Sequence, residues 1–377
     1  MANDKDFVVN GPVVVGKDTK VTVGNIAAGT VDLSTGNYFT DTLTADTTYT
    51  LSNAGAVQAF QLEVTGGSIT YNIGSAGYDG VSFSVTSQNT DPHGLYFKPD
   101  GTAFYYLGRT NHTVFQYTLS TAWDLSTASY ASKSFSVAPQ ITSLGMCVRF
   151  KPDGTKMYVV GLANGTIFQY SLSTAWDVST ASYDSKSFSV TSQDGAPSGF
   201  VFNSDGTKVI LVGYGTDLLY EYGLSTAWDI STASYNSVSY DPVVVNPADL
   251  VFNADGTRLF IISFGASISS YTLGAPYSIV TASKDAATLS VAAQDTATDG
   301  VAFSDTGDKM YVLGYGNDVA YQYSTSTGAI LTWPTNIEWA DGSTPSTPAE
   351  GETDVYTFTT DDGGTTYTGI QSIDNAS

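Results

Sequence analysis

Residues able to do covalent or metal chemistry are scarce in this 377-residue chain. There are two histidines, His93 and His112, and a single cysteine, Cys147. No Ser-His-Asp or Cys-His set with an evident orienting partner stands out, so nucleophilic catalysis is not expected. Zinc-type sites need several His or Cys ligands, and three such residues do not supply them. Calcium prefers oxygen ligands, yet no D-x-D-x-D-G loop is present. We therefore expect no catalytic residue, no bound metal and no cofactor. Paired carboxylates for glycoside hydrolysis stay open, because proximity in space is not visible in the chain.

The charge balance narrows the partners. The chain has 36 Asp+Glu against 14 Lys+Arg, a net charge of −22. Phosphate contacts need Lys and Arg, so no nucleic-acid groove is expected. Anionic membrane surfaces are excluded on the same ground. No run of 18 apolar residues exists, and no membrane insertion is expected. The start, MANDKDFVVNGPVVVG, has no basic segment followed by an apolar one, so no signal peptide is expected. Cys147 is alone, which leaves stability to packing. Charged residues are only 13%, hydrophobic residues 42%, and Gly, Tyr, Ser and Thr abound: a composition of short strands and tight turns.

What positions the side chains is a repeat. FKPDGTAFYYLG (97–108) recurs as FKPDGTKMYVVG (150–161), FNSDGTKVILVG (202–213), FNADGTRLFIISFG (252–265) and FSDTGDKMYVLG (303–314). Its turn glycines, Gly101, Gly154, Gly206, Gly256 and Gly307, are spaced by 53, 52, 50 and 51 residues. A second marker travels with it: STAWDLSTASY (120–130), STAWDVSTASY (173–183), STAWDISTASY (225–235) and a decayed GAPYSIVTASK (274–284). Each unit reads as four strands, in the second unit 146–150, 156–161, 166–173 and 185–190. A four-stranded unit near 50 residues, repeated, predicts a β-propeller.

The fifth unit lacks a fourth strand, and an orphan strand, VSFSVTSQ (81–88), precedes the first. The orphan is predicted to pair with 318–324 and close a five-bladed ring. Residues 25–77 and 327–377 are strand-rich and do not repeat. At about 50 residues each, neither half buries a core alone. The expected organisation is all-β: an N-terminal arm (1–24), the first half of a β-sandwich-like domain (25–77), an inserted five-bladed propeller with four strands per blade (78–326), and the second half (327–377).

The joined halves resemble a small all-β domain of tailed-phage virion proteins. The resemblance rests on DLSTGNYF (32–39), TADTTYTLSN (44–53), TWPTNIEWADG (332–342) and DVYTFTTDDGGTTYTG (354–369). The opening DFVVNGPVVVG (6–16) is similar to phage fibre starts, and the repeat resembles cell-surface and phage DGTKMYV units and, more distantly, YVTN-type propellers. The resemblance implies a non-enzymatic virion structural protein, a tail fibre or adhesin whose propeller binds a host surface glycan or protein. A capsid decoration protein with a structural or weakly adhesive knob is the alternative, and a glycan depolymerase the third reading. It also implies a homo-oligomer, trimer favoured, attached to other virion proteins through the arm and the sandwich-like domain, and located in the virion after assembly in the host cytoplasm.

The DGT turns look like the Asp boxes of sialidases, but an Asp capping a hairpin whose Gly takes positive φ explains them fully. Trp123, Trp176 and Trp228 hold one fixed place in each repeat, which predicts packing between blades rather than sugar stacking. The loops between second and third strands vary most, and strand alternation puts them on one face with the loops that join successive units. The candidate ligand-binding residues lie there: Arg109, Asn111 and His112 in the first unit, Asn164 in the second, Tyr214 and Asp217 in the third, and Tyr315, Asn317 and Asp318 in the fifth. Aromatic planes beside amides and carboxylates are the groups that hold sugar hydroxyls. Arg109 either grips an acidic sugar or pairs with a nearby Asp.

Overall fold

The computed structural model describes residues 22–376. The arm expected over 1–24 and the fibre-like stretch 6–16 thus fall almost wholly outside the described residues. The described chain is all-β apart from five single-turn 3-10 segments. It divides into two compact units, one of 70–326 and one formed by the segments before and after it.

In the repeat unit lie five four-stranded antiparallel sheets, the arrangement of a β-propeller. The first sheet holds Pro92–Phe97, Ala103–Gly108, Thr113–Leu119 and Ala128–Ser136, in that order from the inside outward. The innermost strands are buried along their length, while the outermost alternate. The inner strands touch one another in cyclic order, Thr298–Phe303 returning to Pro92–Phe97. The orphan strand sits where expected: Gly77–Ser84 forms the outer edge of the fifth sheet, with Val319 opposite Ser84 and Gln322 opposite Val81.

Each seam between neighbouring sheets has its own apolar cluster. Leu95, Phe97, Tyr311 and Leu313 belong to the seam between the fifth sheet and the first. Two polar latches repeat at the seams. Gln116, Gln169 and Gln322 each accept, through Oε1, the backbone N–H of Val178, Ile230 and Leu125 on the next sheet, at 3.2, 2.9 and 2.9 Å. The hydroxyls of Tyr105, Tyr158 and Tyr311 donate to the carbonyls of Trp176, Trp228 and Trp123 at 2.9, 2.7 and 2.5 Å. The tryptophans pack between sheets, as their fixed place implies: Trp176 faces Tyr105 of one sheet and Phe150 of the next.

The DGT turns show why those residues are there. Gly101 has φ +71, and a Cβ on it would lie 2.4 Å from the Trp123 ring. Asp100 Oδ1 accepts from Thr102 N and Oγ1, at 3.0 and 2.6 Å, closing the turn on itself. The same pair recurs as Asp153–Thr155, Asp205–Thr207 and Asp255–Thr257.

In the other unit, a five-stranded sheet runs Tyr38–Thr42, Gln58–Thr65, Thr353–Thr360, Tyr367–Ala376, Ile337–Trp339. Its middle pair joins the two flanking segments: Phe60 stands opposite Phe358 and Leu62 opposite Tyr356. One core holds Phe39, Phe60 and Leu62 together with Trp333, Tyr356 and Phe358. Neither flank has this core without the other.

Candidate binding face of the sheet ring

One backbone bond is repeated five times and builds the site. The residue that follows each second strand donates its N–H to the residue that precedes the first strand of the same sheet. Arg109 donates to Asp91, Leu162 to Leu144, Tyr214 to Ala196, Phe264 to Asn246 and Tyr315 to Ala297, at 2.8–3.0 Å. The two sets of variable loops therefore meet at one end of the strands, as strand alternation predicts. The five donors occupy equivalent places around the central axis.

Three of these five are aromatic and touch. Phe264 meets Tyr214 edge-on at 5.6 Å and Tyr315 at 6.2 Å, so the third, fourth and fifth sheets supply one aromatic arc. Edge-to-face packing fixes ring directions beyond simple burial. Tyr214 is 44% exposed. Arg109 lies across the ring from Tyr214 and Phe264, because the first position of a five-fold ring opposes the third and fourth. Arg109 is half-buried, its Nε has no hydrogen-bond partner, and no carboxylate among the described residues forms an ion pair with it. The Asp pairing weighed for Arg109 is thus not seen.

Beneath the arc runs a buried polar column that repeat matching does not bring out. His93, at the start of the innermost strand of the first sheet, stacks under Tyr315 at 4.8 Å. Its Nδ1 meets Asp299 Oδ2, and its Nε2 lies 3.1 Å from Asp91 Oδ1. Asp299 Oδ1 also accepts from Gly94 N at 3.1 Å. Burial disfavours the imidazolium, but Asp299 and Asp91 outweigh it and hold the His93 pKa above the usual histidine value.

Deeper, Arg149 Nη2 donates to Asp249 Oδ1 and, at 3.1 Å, to Leu250 O, while Nη1 reaches Leu95 O and Val148 O. Burial pushes the Asp249 carboxyl up to about 6 against the pull of Arg149. Cys147 is fully buried, and its Sγ lies 3.8 Å from Asp249 Oδ1. Burial pushes its thiol far up, so it carries no thiolate to react.

The candidate residues divide into two groups. Tyr214 and Tyr315 belong to the aromatic arc, and Arg109 is close enough to Tyr315 to act on it electrostatically. The others build the loops. Asn164 accepts from Ser143 Oγ at 3.1 Å and donates to Thr142 Oγ1 at 3.2 Å. Asn317 donates to Gln294 O at 2.9 Å and to Tyr321 at 3.3 Å. Asp217 Oδ1 accepts the Asn246 N–H at 3.0 Å. His112, Asp217 and Asp318 share the positive-φ place of the turn, at φ +50, +59 and +56, and Gly165 and Ala266 take it in the other sheets. Asn111 folds over its own turn, its Oδ1 2.1 Å from where a Gly108 Cβ would lie. Asn164, Asn317 and Asp217, read from sequence as ligand-binding, each hydrogen-bond to neighbouring loops in the structure. Asp318 Oδ1 is buried without a partner, and burial beside Asp91 and Asp295 raises its pKa.

Leu162, Phe264, His93, Asp299, Arg149 and Asp249 were missed from sequence. Part of the signal is in the alignment of the inner strands: Asp249 stands where the other repeats have Gly94, Cys147, Gly199 and Gly300, and Arg149 where they have Tyr96, Val201, Val251 and Ala302, whereas the position of His93 is polar again in Ser198 and Asp299.

A groove of about 690 Å³ lies elsewhere, along the turn face at the seam of the fifth and first sheets. Its polar groups hold each other: Lys309 Nζ and Gln322 Nε2 both donate to Asp79 Oδ2, at 2.8 and 2.9 Å. We assign no site to it. Among the described residues no group of three or more His, Cys, Asp or Glu side chains is placed to hold a metal ion.

No family model and no curated protein matches the chain. Solved structures that resemble it include two proteins provisionally assigned as 6-phosphogluconolactonases. The one from Bacteroides uniformis is 11% identical over 58% of this chain, with a TM-score of 0.38, and the chain spans 63% of its length. The one from Bacteroides fragilis is 11% identical over 74% of this chain and 69% of its own, with a TM-score of 0.39. A protein of unknown function from Desulfotomaculum acetoxidans is 9% identical over 59% of this chain and 79% of its own, at 0.40. Likeness at this level carries no argument about activity.

Proposed function

We propose that this protein is a non-enzymatic virion appendage of a tailed phage, a fibre or adhesin that binds a host surface glycan. In this reading the repeat unit is a closed five-bladed propeller carried as an insertion in a split β-sandwich-like domain. That domain joins the chain to other virion proteins and to its own copies, trimer favoured. The observation that supports glycan binding is the axial arc of Tyr214, Phe264 and Tyr315 facing the unpaired Arg109. Aromatic faces take the C–H surface of a sugar, and a guanidinium takes its oxygens. The phage assignment rests on the sequence resemblances of the flanking segments, the opening stretch 6–16 and the repeat.

The test of the binding reading is a glycan array probed with the labelled full chain and with Tyr214→Ala. The wild type is expected to bind at least one glycan, and the exposed Tyr214 variant to lose that signal with a thermal midpoint close to wild type. Binding unaltered in Tyr214→Ala overturns the assignment of the face. Labelling of particles in a phage lysate by an antibody to this chain tests the virion assignment independently.

A further inference from the structure

The axial cup is polarised, and that polarity has a chemical meaning. Of the eleven described lysines and arginines, nine sit in ion pairs. Lys284 donates to Val243 O at 2.8 Å and lies over the Tyr271 ring. Arg109 alone has neither an ion pair nor a side-chain hydrogen bond among the described residues. Among the described residues its guanidinium forms no ion pair, although Asp91 is its backbone partner and Asp299 and Asp295 lie with it around Tyr315. Its backbone is fixed on both sides, N–H to Asp91 O at 2.9 Å and carbonyl from Gly145 N at 3.0 Å. Its Nε is buried with no acceptor among the described residues.

We infer that the cup selects a carboxylated sugar, a uronic or sialic acid residue, with its carboxylate on Arg109 and its ring against Tyr214, Phe264 and Tyr315. This rests on the glycan reading and adds the ligand class. A guanidinium presents a planar fork of donors that matches one carboxylate bidentately. One cation suits a single negative charge better than the double charge of a phosphate. Three carboxylates, Asp91, Asp295 and Asp299, act on Tyr315 together with Arg109; His93 is shared by Asp91 and Asp299 and takes part of their charge. Non-specific attraction is absent as an explanation, because a net charge of −22 repels anions at long range. An anion that binds here does so through a specific contact. Tyr214 and Phe264 hold the ring positions opposite that of Arg109 and Tyr315 the adjacent one, so the arc and the guanidinium border the same axial cup.

The test uses the full chain on an array of neutral, hexuronic-acid and sialic-acid glycans. It adds a matched pair in solution, a galacturonic acid oligosaccharide and its methyl ester, which differ only in the charge. Acidic glycans are expected to bind tenfold or more tightly than their neutral or esterified counterparts. Arg109→Gln is expected to remove that preference, and Arg109→Lys to keep part of it. Thermal unfolding of both variants, with wild-type-like midpoints, separates loss of contact from loss of fold. Equal binding of acid and ester, or a preference that survives Arg109→Gln, overturns the inference. Neutral glycans bound through Tyr214 with no acidic preference overturn it and leave the glycan reading standing. No binding to any glycan overturns both.

Discussion

Tyr71 lies against Gly307 as Trp123 lies against Gly101. Tyr71 N donates to Gly307 O at 2.7 Å, and Trp123 N to Gly101 O at 3.1 Å. A Cβ added to Gly307 would come within 2.1 Å of the Tyr71 ring. The following 3-10 turn, Ile73–Ser75, is capped by Asn72 Oδ1 as Asp124 caps Leu125–Thr127. Residues 71–78 are therefore the missing fifth copy of the tryptophan marker, placed before the first repeat and packed against the last. This moves the start of the repeat unit from 78 to 70.

A consequence is testable with fragments. A chain of 70–326 keeps Tyr71 on Gly307 and the buried Ile73 in the seam of the fourth and fifth sheets. A chain of 78–326 exposes that seam. Losing a buried large aromatic and a buried isoleucine from a seam costs about 5–10 kcal/mol together. The longer fragment is expected to unfold at distinctly higher urea, with a larger m-value. Equal midpoints would show that Tyr71 and Ile73 are ornaments of the closure rather than parts of it.

The seams offer a finer test. Gln322 Oε1 accepts Leu125 N, and Gln116 Oε1 accepts Val178 N, both in buried surroundings. Replacing either by Leu leaves a buried N–H without an acceptor, at a cost of about 1–3 kcal/mol. Denaturant melts of Gln322→Leu and Gln116→Leu are expected to show similar losses, because the closing seam uses the same latch as an internal one. A much smaller loss for Gln322→Leu would mean that the fifth and first sheets are held less tightly than their neighbours.

The repeat was legible because its turns need particular residues. Gly101 has both positive φ and a ring over its α-carbon, so drift is not tolerated and the motif stays visible. The copy at 71–78 was not legible. Tyr71 replaces Trp and Asn72 replaces Asp, and the segment sits more than 220 residues ahead of the turn it packs on. The face of the cup followed from strand alternation, but its members did not. Loop variation marked Asn164, Asn317 and Asp217, whose differences are turn chemistry. The inner column of His93, Asp299, Arg149 and Asp249 hides for the opposite reason. Arg149 and Asp249 are each charged in one repeat only, and the position shared by His93 and Asp299 carries Met146, Ser198 and Ala248 in the others, so no motif repeats.

His93 gives a prediction in pH. Its folded-state pKa is raised, so its contribution to stability is complete below the unfolded value of about 6.5 and fades as pH rises through the folded value. The groups that face it are Asp91, Asp299 and the Tyr315 ring. The stability lost in His93→Gln, read from urea melts, is expected to be larger at pH 5.5 than at pH 9. A loss that does not change over that range would show a neutral imidazole throughout.

The Arg149–Asp249 pair yields the sharpest asymmetry. Both side chains are buried, and Asp249 Oδ2 has no partner. Taking two charges out of water costs much of what their attraction returns, so the pair's net worth is small. Breaking it is another matter. Arg149→Met leaves a bare carboxylate among Cys147, Leu250 and the inner strands, and is expected to cost roughly 3–5 kcal/mol. Burial already raises Asp249 to about 6 with Arg149 in place. Without the cation it rises further, and the variant folds by taking up a proton there. The loss is therefore expected to shrink as pH falls from 8 to 5. Arg149→Met with Asp249→Leu removes both charges, and is expected to recover more than half of the single-variant loss in guanidinium melts. A double variant no more stable than Arg149→Met would mean that the column holds the inner strands through the four hydrogen bonds of Arg149, not through charge.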